Sequence, residues 1–311
     1  MTPVQIDDGN GLIVDLLDYG ARITQINYNN RDLALTYSQL DDYLSDPYYL
    51  GATIGPITNR IQSGQLTISG QQFQMPKNEG DNSLHSGNQG LDKQVWGLQK
   101  IGKDFAEFQL DYDLTKAGLK GLLEITAHYS VEAGSLRVVY ETHADHDTYV
   151  NLTNHVYLNL TGERSRISDH EFTLLANSMV NVDEHSIPNG KITEFTQPLS
   201  YNIDAFDDIN ELKGSADHHF NVAGEDSHEL RTMLNAHSNT TGITLEVRGN
   251  SAGFQFYTGQ YLSAPFTESS GFCVETQYAP DAINQHNLYA PVLKSGQSLT
   301  QITEYSFDQI G

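Results

Sequence analysis

Hydrophobic and polar residues alternate with a period of two along much of this chain. In segment 124–131 the odd positions are apolar and the even positions are polar. Successive side chains of a β-strand point to opposite faces, so this pattern predicts a strand with one buried face. A short run containing Gly134 separates it from a second alternating run, Leu136, Val138 and Tyr140. The two runs therefore predict a β-hairpin.

The same alternation recurs, and helical periodicity is rare. Further alternating runs are Phe108, Leu110 and Tyr112; Ile243, Leu245 and Val247; and residues 252–259. Ser38 before the segment 39–44 predicts one short capped helix, and the polar run 214–226 is expected to be a long loop. Many short strands between Gly and Asn turns are typical of a β-sandwich or barrel. Since no repeat or linker interrupts the chain, we expect one all-β domain over residues 1–311.

Charge and cysteine content narrow the function classes. The chain has 17 Lys and Arg against 40 Asp and Glu, a net charge of −23. Such a field repels nucleic acids and anionic membranes, and it disfavours a strongly phosphorylated substrate. No stretch approaches the ~20 apolar residues that span a bilayer, so we expect a soluble cytoplasmic protein. The single cysteine, Cys273, lies in an apolar run and is expected to be a buried core residue.

Two distant segments suggest proton transfer. His155 lies in the asparagine-rich segment 151–160, and Glu275 follows a short apolar run in segment 274–284. A histidine and a carboxylate that face each other across a substrate can give and take a proton in one cycle. This pair favours an acid/base enzyme acting on a hydroxylated small molecule.

Polar residues near glycines are candidates for binding. Asn59 and Arg60 end the glycine-bounded strand 51–61, and His85 lies in a Gly- and Asn-rich turn. An arginine offers a fixed fork of hydrogen-bond donors to sugar hydroxyls. The alternatives are that Arg60 is an ordinary surface arginine and that His85 is a loop histidine without a function. Trp96, the single tryptophan, is a candidate for a sugar platform, a core position or a lid.

A metal site is not expected from the remaining candidates. Asp217, His218 and His219 are adjacent, but neighbouring histidines on a strand point to opposite faces and do not bind one ion easily. Gln255 shares a face with Tyr257 and is a candidate for a polar site or for a solvent-facing position. Together these residue types suit a neutral polyol, and no dedicated phosphate cradle is found.

Six sequence blocks, in order along the chain, resemble the aldose 1-epimerase (galactose mutarotase) family nearly end to end. They are Asn59-Arg60-Ile61; Leu84-His85-Ser86-Gly87 with Trp96; NHVYLNL at 154–160; Asp217-His218; QFYTG at 255–259; and Glu275-Thr276-Gln277 with PDAIN at 280–284. The resemblance implies a large antiparallel β-sandwich with the sugar in an open cleft.

The resemblance also implies interconversion of the α and β anomers of free aldoses such as D-galactose and D-glucose. Glu275 matches the general base and His155 the general acid. Five residues match positions that hold the sugar: Asn59, Arg60, His85, Asp217 and Gln255. No cofactor or metal is expected, and the partner is a small-molecule sugar.

The chain departs from the family pattern at three places. Pro56 follows Gly55 where many members have arginine, Ser86 replaces the first of two glycines, and Leu158 stands where phenylalanine is usual. None of these is the expected acid or base. Loss of the arginine bears on sugar preference and affinity.

Three rival functions remain open at this point. A glycoside hydrolase could use Asp217 and Glu275 as its two carboxylates. A sugar-6-phosphate 1-epimerase would need a basic cluster for the phosphate. A non-catalytic carbohydrate-binding protein would be expected to have lost His155 or Glu275 first. The preferred sugar, and whether the protein is a monomer or a homodimer, are left open.

Overall fold

The computed structural model describes residues 1–203, 215–222 and 229–310. Numbered in chain order, the strands of these ranges are β1 (Pro3–Asp7), β2 (Leu12–Leu17), β3 (Arg22–Tyr28), β4 (Arg31–Asp32), β5 (Thr53–Ile54), β6 (Arg60–Ile61), β7 (Gln65–Ile68), β8 (Gln71–Gln74), β9 (Ser83–Leu84), β10 (Gly97–Ile101), β11 (Phe105–Asp113), β12 (Leu122–Glu132), β13 (Ser135–Ala144), β14 (Thr148–Tyr149), β15 (Thr153–Asn154), β16 (His170–Leu174), β17 (Ser178–Val182), β18 (Pro188–Glu194), β19 (Leu199–Asn202), β20 (Asp217–Asn221), β21 (Arg231–Ser238), β22 (Ile243–Gly249), β23 (Gly253–Tyr257), β24 (Cys273–Gln277), β25 (Val292–Leu293) and β26 (Ser298–Gln309).

Helical structure in the described ranges is confined to short 3₁₀ segments. They are Leu40–Ser45, Gln62–Gly64, Gly87–Gln89, Leu91–Lys93, Leu114–Ala117 and Ala282–Asn284. The predicted Ser38-capped helix is wrong in its cap, because the segment begins after Gln39 and has no side-chain cap. The segment is a six-residue 3₁₀-helix, a form that proteins use in short pieces. Within the described ranges, none of the helices has the length and apolar character needed to cross a bilayer.

Three antiparallel sheets account for most of the strands. The largest has nine strands in the order β10-β11-β12-β13-β26-β22-β21-β16-β19. A five-stranded sheet runs β18-β17-β20-β23-β24, and a four-stranded sheet runs β1-β2-β3-β4. Every pairing between named strands in the described part is antiparallel. The remaining strands form two-stranded ribbons.

The two smaller sheets pack on the nine-stranded sheet. Phe172 on β16 contacts Phe256 on β23, with ring centroids 5.1 Å apart. The Tyr305 hydroxyl on β26 donates to the Val274 carbonyl on β24 at 3.4 Å. Strands β1 and β2 contact β11 and β12. The predicted all-β sandwich is therefore confirmed, and its sheets do not close into a barrel.

The predicted hairpin is formed by β12 and β13. Glu132 pairs with Ser135, so the turn consists of Ala133 and Gly134, with φ of 48° and 79°. Positive φ at both central residues is the geometry of a type I′ turn, whose twist matches that of the flanking strands. The alternation in segment 124–131 correctly identified the buried face.

The expected long loop at 214–226 is wrong where the structure describes it. Asp217–Asn221 is strand β20, paired with β17 and β23 in the five-stranded sheet. Its mostly polar residues do not alternate with apolar ones, so the hydrophobic pattern did not predict this strand. Residues 214 and 223–226 lie outside the described part. Trp96 is 1% exposed and its indole N–H donates to the Leu91 carbonyl at 3.3 Å, so it is a core residue and not a sugar platform.

Candidate active site

One open cavity collects six of the seven residues that the sequence predicts for the site. They are Asn59, Arg60, His85, His155, Asp217 and Glu275. These residues come from separate parts of the chain and from several sheets. The seventh, Gln255, lies behind the cavity wall and is 3% exposed.

His155 is held by backbone hydrogen bonds on both sides. It follows strand β15, which pairs with β5. Its N–H donates to the Ala52 carbonyl at 2.9 Å, and its carbonyl accepts from the Gly51 N–H at 3.0 Å. The imidazole is therefore anchored to a rigid backbone and points into the cavity with 7% of its side chain exposed.

Glu275 lies opposite, in the middle of strand β24. Its side chain is 3% exposed, and its Oε1 is 3.8 Å from His155 Nε2. Within the described part of the chain, the other carboxyl oxygen, Oε2, has no hydrogen-bond partner. A carboxyl group that is buried without donors is poorly stabilised in its charged form.

Burial shifts the pKa values of this pair in opposite directions. It lowers the pKa of His155 to about 4, partly opposed by its own carbonyl and by the charges of Asp46 and Asp217. It raises the pKa of Glu275 well above 4.5; the Asp217 charge adds to this and Arg60 opposes it. Both shifts favour the neutral forms. Between the lowered pKa of His155 and the raised pKa of Glu275, the pair thus holds one dissociable proton, which the shifts place on Glu275.

Arg60 is tied to a carboxylate that sequence analysis did not identify. Its Nε and Nη2 donate to the two oxygens of Glu79, each at 2.7 Å. The Arg60 side chain is 14% exposed and that of Glu79 is 37% exposed. A bidentate pair of this kind fixes the plane of the guanidinium. Burial opposes the charge of Arg60, but Glu79 and Asp217 together raise its pKa.

The tautomer of His85 follows from its contacts. Its Nδ1 accepts from the Asn59 backbone N–H at 3.1 Å, so a neutral ring carries its proton on Nε2. Burial lowers the pKa of His85 well below 6.5, with His155 and Arg60 adding to the effect. The Tyr49 ring packs edge-on against it at 4.6 Å. His85 is thus a fixed, neutral hydrogen-bond donor in the cavity wall.

Asp217 and Gln255 act as a unit. Asp217 begins β20, and Gln255 lies on the neighbouring strand β23. The Gln255 Nε2 donates to Asp217 Oδ1 at 2.7 Å. Asp217 lines the cavity, so this bond fixes a carboxylate that faces a ligand there. Gln255 is also directly opposite Glu275 in the β23–β24 register.

Sequence analysis missed several residues of the cavity wall. They are Pro47, Tyr48, Tyr49, Glu79, Leu84, Tyr157, Tyr257 and Tyr261. Tyr157 and Tyr257 lie inside the sequence blocks quoted above, which was the available signal. Tyr49 has φ of 57°, a conformation that bulky residues rarely adopt. Nothing in the sequence pattern marked Tyr49 or Glu79.

The three departures from the family pattern do not line the cavity that holds His155 and Glu275. Pro56 is buried and its carbonyl accepts from the Asn151 N–H at 2.8 Å. Ser86 has φ of 65°, and its hydroxyl accepts from the Ile57 N–H and donates to the Ile57 carbonyl. These bonds compensate for a conformation that favours glycine. Leu158 is a core residue.

The adjacent histidines of β20 do not build a metal site with Asp217. His219 is 2% exposed in the interior and pairs with Gln255. Across the described ranges, no group of three His, Cys, Asp or Glu side chains is arranged to hold a metal ion.

Comparison of the sequence with known protein families identifies the family of this chain. The sequence model of the family described as aldose 1-epimerase matches residues 3–306. The chain belongs to the aldose 1-epimerase family. The activity named for this family, anomer epimerisation, makes the chain an isomerase.

Curated relatives of this aldose 1-epimerase family member span most of its length. A galactose mutarotase from Bos taurus is 34% identical, covering 95% of this chain and 91% of the relative. An aldose 1-epimerase from Escherichia coli is 28% identical, covering 96% and 92%.

Solved structures show the same fold. An aldose epimerase homologue from C. elegans superposes with a TM-score of 0.92 at 23% identity, covering 100% of this chain and 99% of that one. A galactose 1-epimerase from Lactobacillus acidophilus gives 0.84 at 24% identity, covering 99% and 95%. The epimerase fold predicted from sequence is thereby confirmed.

Proposed function

We propose that this protein interconverts the α and β anomers of free, neutral aldoses such as D-galactose and D-glucose. The observation that carries the proposal is the buried pair of His155 and Glu275, 3.8 Å apart, in a cavity lined by polar and aromatic side chains. Curated relatives are named galactose mutarotase, which supports galactose as a substrate.

The reaction requires two proton transfers of opposite direction. Glu275 as carboxylate takes the proton of the anomeric hydroxyl, and the C1–O5 bond breaks as the C1–O1 carbonyl forms. His155 as imidazolium gives its Nε2 proton to O5. Rotation about C1–C2 presents the other carbonyl face, and the two residues exchange roles on ring closure. No proton is gained or lost over the cycle.

The proton count of the free site matches this requirement. A protonated Glu275 beside a neutral His155 carries one dissociable proton. A Glu275 carboxylate beside a His155 imidazolium carries the same number. Moving that proton from Glu275 to His155 produces the reactive form without exchange with solvent. The hydroxylated sugar supplies the polar surroundings that favour the charged form.

The wall residues hold the sugar against this pair. Asp217, fixed by Gln255, accepts from sugar hydroxyls, while Arg60 and neutral His85 donate to the sugar near the ring oxygen. Asn59 supports both residues, since its backbone N–H donates to His85 Nδ1 and its side-chain oxygen accepts from the backbone N–H of Arg60 at 2.8 Å. Orientation of this kind lowers the entropic barrier to ring opening and closure.

The charges of the cavity favour neutral sugars over phosphorylated ones. Among the described residues that line it, Arg60 is the sole Lys or Arg. Its guanidinium is already paired with Glu79. A phosphate group would therefore find Asp217, Glu79 and Glu275 nearby without a dedicated cation.

Polarimetry tests the proposal directly. Freshly dissolved α-D-galactose and α-D-glucose should reach their equilibrium rotation faster with the protein. Glu275→Gln should lower kcat by ~10²- to 10⁴-fold, because it removes the base, with KM changed by less than about threefold. Near-normal turnover in this variant would refute the assignment of the base. Acceleration confined to glucose 6-phosphate, or cleavage of an aryl glycoside, would favour the rival enzymes.

A further inference from the structure

The imidazole of His155 contacts strand β24 through both of its nitrogens. Its Nε2 faces Glu275 Oε1 at 3.8 Å, and its Nδ1 is 3.5 Å from Cys273 Sγ. Cys273 and Glu275 are two positions apart on one strand, so their side chains share a face. A single strand therefore presents the proposed base to one nitrogen and a thiol to the other.

The Cys273 thiol is neutral, and its burial keeps water from competing for His155 Nδ1. Cys273 is 0% exposed. Burial raises the pKa of its thiol well above 9, and the charges of Glu275 and Asp217 add to this. A neutral sulfur is a weak hydrogen-bond acceptor, and a thiol in this state is a poor nucleophile.

Neighbouring rings restrict the His155 imidazole without binding its nitrogens. The Tyr157 ring lies 5.0 Å away and the Tyr49 ring 6.0 Å away, both tilted against it. These contacts limit sideways motion of the ring. They do not determine which nitrogen carries the proton, because that depends on hydrogen bonds to Nδ1 and Nε2. The carbonyl of His155 itself, which raises the pKa of the ring, can be reached only by Nδ1 and favours a proton on that same nitrogen.

We infer that Cys273 is a positioning residue, whose sulfur accepts a hydrogen bond from Nδ1–H of His155 and so keeps Nε2 as the nitrogen that exchanges the catalytic proton. This inference rests on the proposed role of His155 as general acid. With Nδ1 protonated throughout, neutral His155 presents its Nε2 lone pair to Glu275. The shared proton can then pass to Nε2, and from there to the ring oxygen of the sugar.

A sulfur at this position also has a consequence for acid strength. A carboxylate beside Nδ1 would stabilise the imidazolium and make it a weaker acid. A neutral thiol fixes the ring with little stabilisation of the charge. His155 therefore remains a strong proton donor to O5, an atom that accepts protons reluctantly.

Variants of Cys273 separate positioning from packing. Cys273→Val fills the space without a polar atom, Cys273→Ala removes the contact, and Cys273→Ser restores an acceptor. Val and Ala are expected to lower kcat at least about tenfold with KM changed less than about twofold, and Ser to recover most of the loss. Equal activity of Val and wild type would overturn the inference, as would a Ser variant no better than Ala.

A spectroscopic measurement on the unmodified protein tests the tautomer without relying on turnover. Long-range ¹H–¹⁵N spectra at pH 7, with His155 assigned from its loss in His155→Asn, should show Nδ1 protonated and Nε2 bare. Protonation at Nε2 would overturn the inference even if the enzyme is active. If Nδ1 is protonated but the protein accelerates mutarotation of no sugar, the His155–Cys273 hydrogen bond stands and the proposed function is refuted instead.

Discussion

At the scale of single residues, His155 and Glu275 have side chains only 7% and 3% exposed, and burial moves their pKa values in opposite directions. In water, a histidine and a glutamate would be ionised over different pH ranges and would compete with solvent for protons. In the cavity they hold one proton between them at pH values between the lowered pKa of His155 and the raised pKa of Glu275. The environment, more than the residue types, makes this pair suitable for reversible ring opening.

The pH dependence of kcat/KM follows from these shifts. Activity should fall as pH drops through about 4, because His155 then binds a proton while Glu275, with its raised pKa, retains its own. The pair would then contain no base. Above its acid limb, activity should stay level until the shared proton is lost, giving a bell-shaped profile.

Mutarotation rates over a pH series measure this profile. Return of each sample to pH 7 is the control, since full recovery excludes acid unfolding. An acid limb near pH 6.5, the ordinary value for histidine, would contradict the burial argument.

The Arg60–Glu79 ion pair should affect binding more than chemistry. Glu79→Gln removes one of the two anchors that fix the guanidinium. We expect KM for galactose to rise about three- to tenfold with kcat changed less than about twofold, because Arg60 binds ground and transition states alike.

Asp81→Asn is the matched control for Glu79→Gln. It removes the same charge two residues away, from a side chain that is 93% exposed and paired only loosely with Lys77. Its kinetics should equal those of the wild type. Equal effects of both variants would mean that long-range charge, and not the ion pair, explains the change in KM.

At the scale of elements, short strands carry the proposed acid and base, and long strands build the core. Strand β24 supplies Glu275 and Cys273, and the two-residue strand β15 leads into His155. The long hairpin β12–β13 contributes no side chain to the cavity. Its turn can therefore be changed without touching the site.

The β12–β13 turn offers a stabilising substitution. Ala133 has φ of 48° in a type I′ turn, where a residue with a Cβ is strained and Asn-Gly is preferred. Ala133→Asn should raise the free energy of unfolding by roughly 0.5–1 kcal/mol. Urea unfolding measures the change. Ala133→Val, a β-branched control, should lower it, and a stabilising Val variant would contradict the turn assignment.

At the scale of the whole molecule, the net charge of −23 is spread over 311 residues. Such an excess opposes compaction through self-repulsion. The few cations are partly engaged in surface ion pairs, such as Lys294 with Asp147 and Arg137 with Glu304. Salt should weaken the repulsion more than it weakens these pairs, because the excess is much larger than the number of pairs.

Ionic strength should accordingly raise thermal stability. Increasing NaCl from about 0.01 M to about 0.15 M shortens the Debye length from about 30 Å to about 8 Å. Tm should rise by a few degrees over this range. An uncharged osmolyte at the same osmolality is the control for non-electrostatic effects. A fall in Tm would show that attractive pairs outweigh the net repulsion.

Alternation of apolar and polar residues determined much of the fold, because a strand with one buried face must repeat every two residues. It located the strands around Phe108, Ile125 and Ile243 and the hairpin turn at Gly134. It failed at Asp217–Asn221, where polar residues of the site interrupt the pattern. The capping pattern at Ser38 did not predict the 3₁₀ form of Leu40–Ser45, which begins after Gln39 and has no side-chain cap.

The sequence by itself also indicated the proposed acid and base, since His155 and Glu275 lie in recognisable blocks of residues suited to proton transfer. Only the tertiary structure decided which side chains meet them. Glu79 beside Arg60, Tyr49 beside His85, and the Cys273 sulfur beside His155 come together through contacts between distant segments. Local sequence patterns do not encode such contacts, because packing and burial arise from the whole fold.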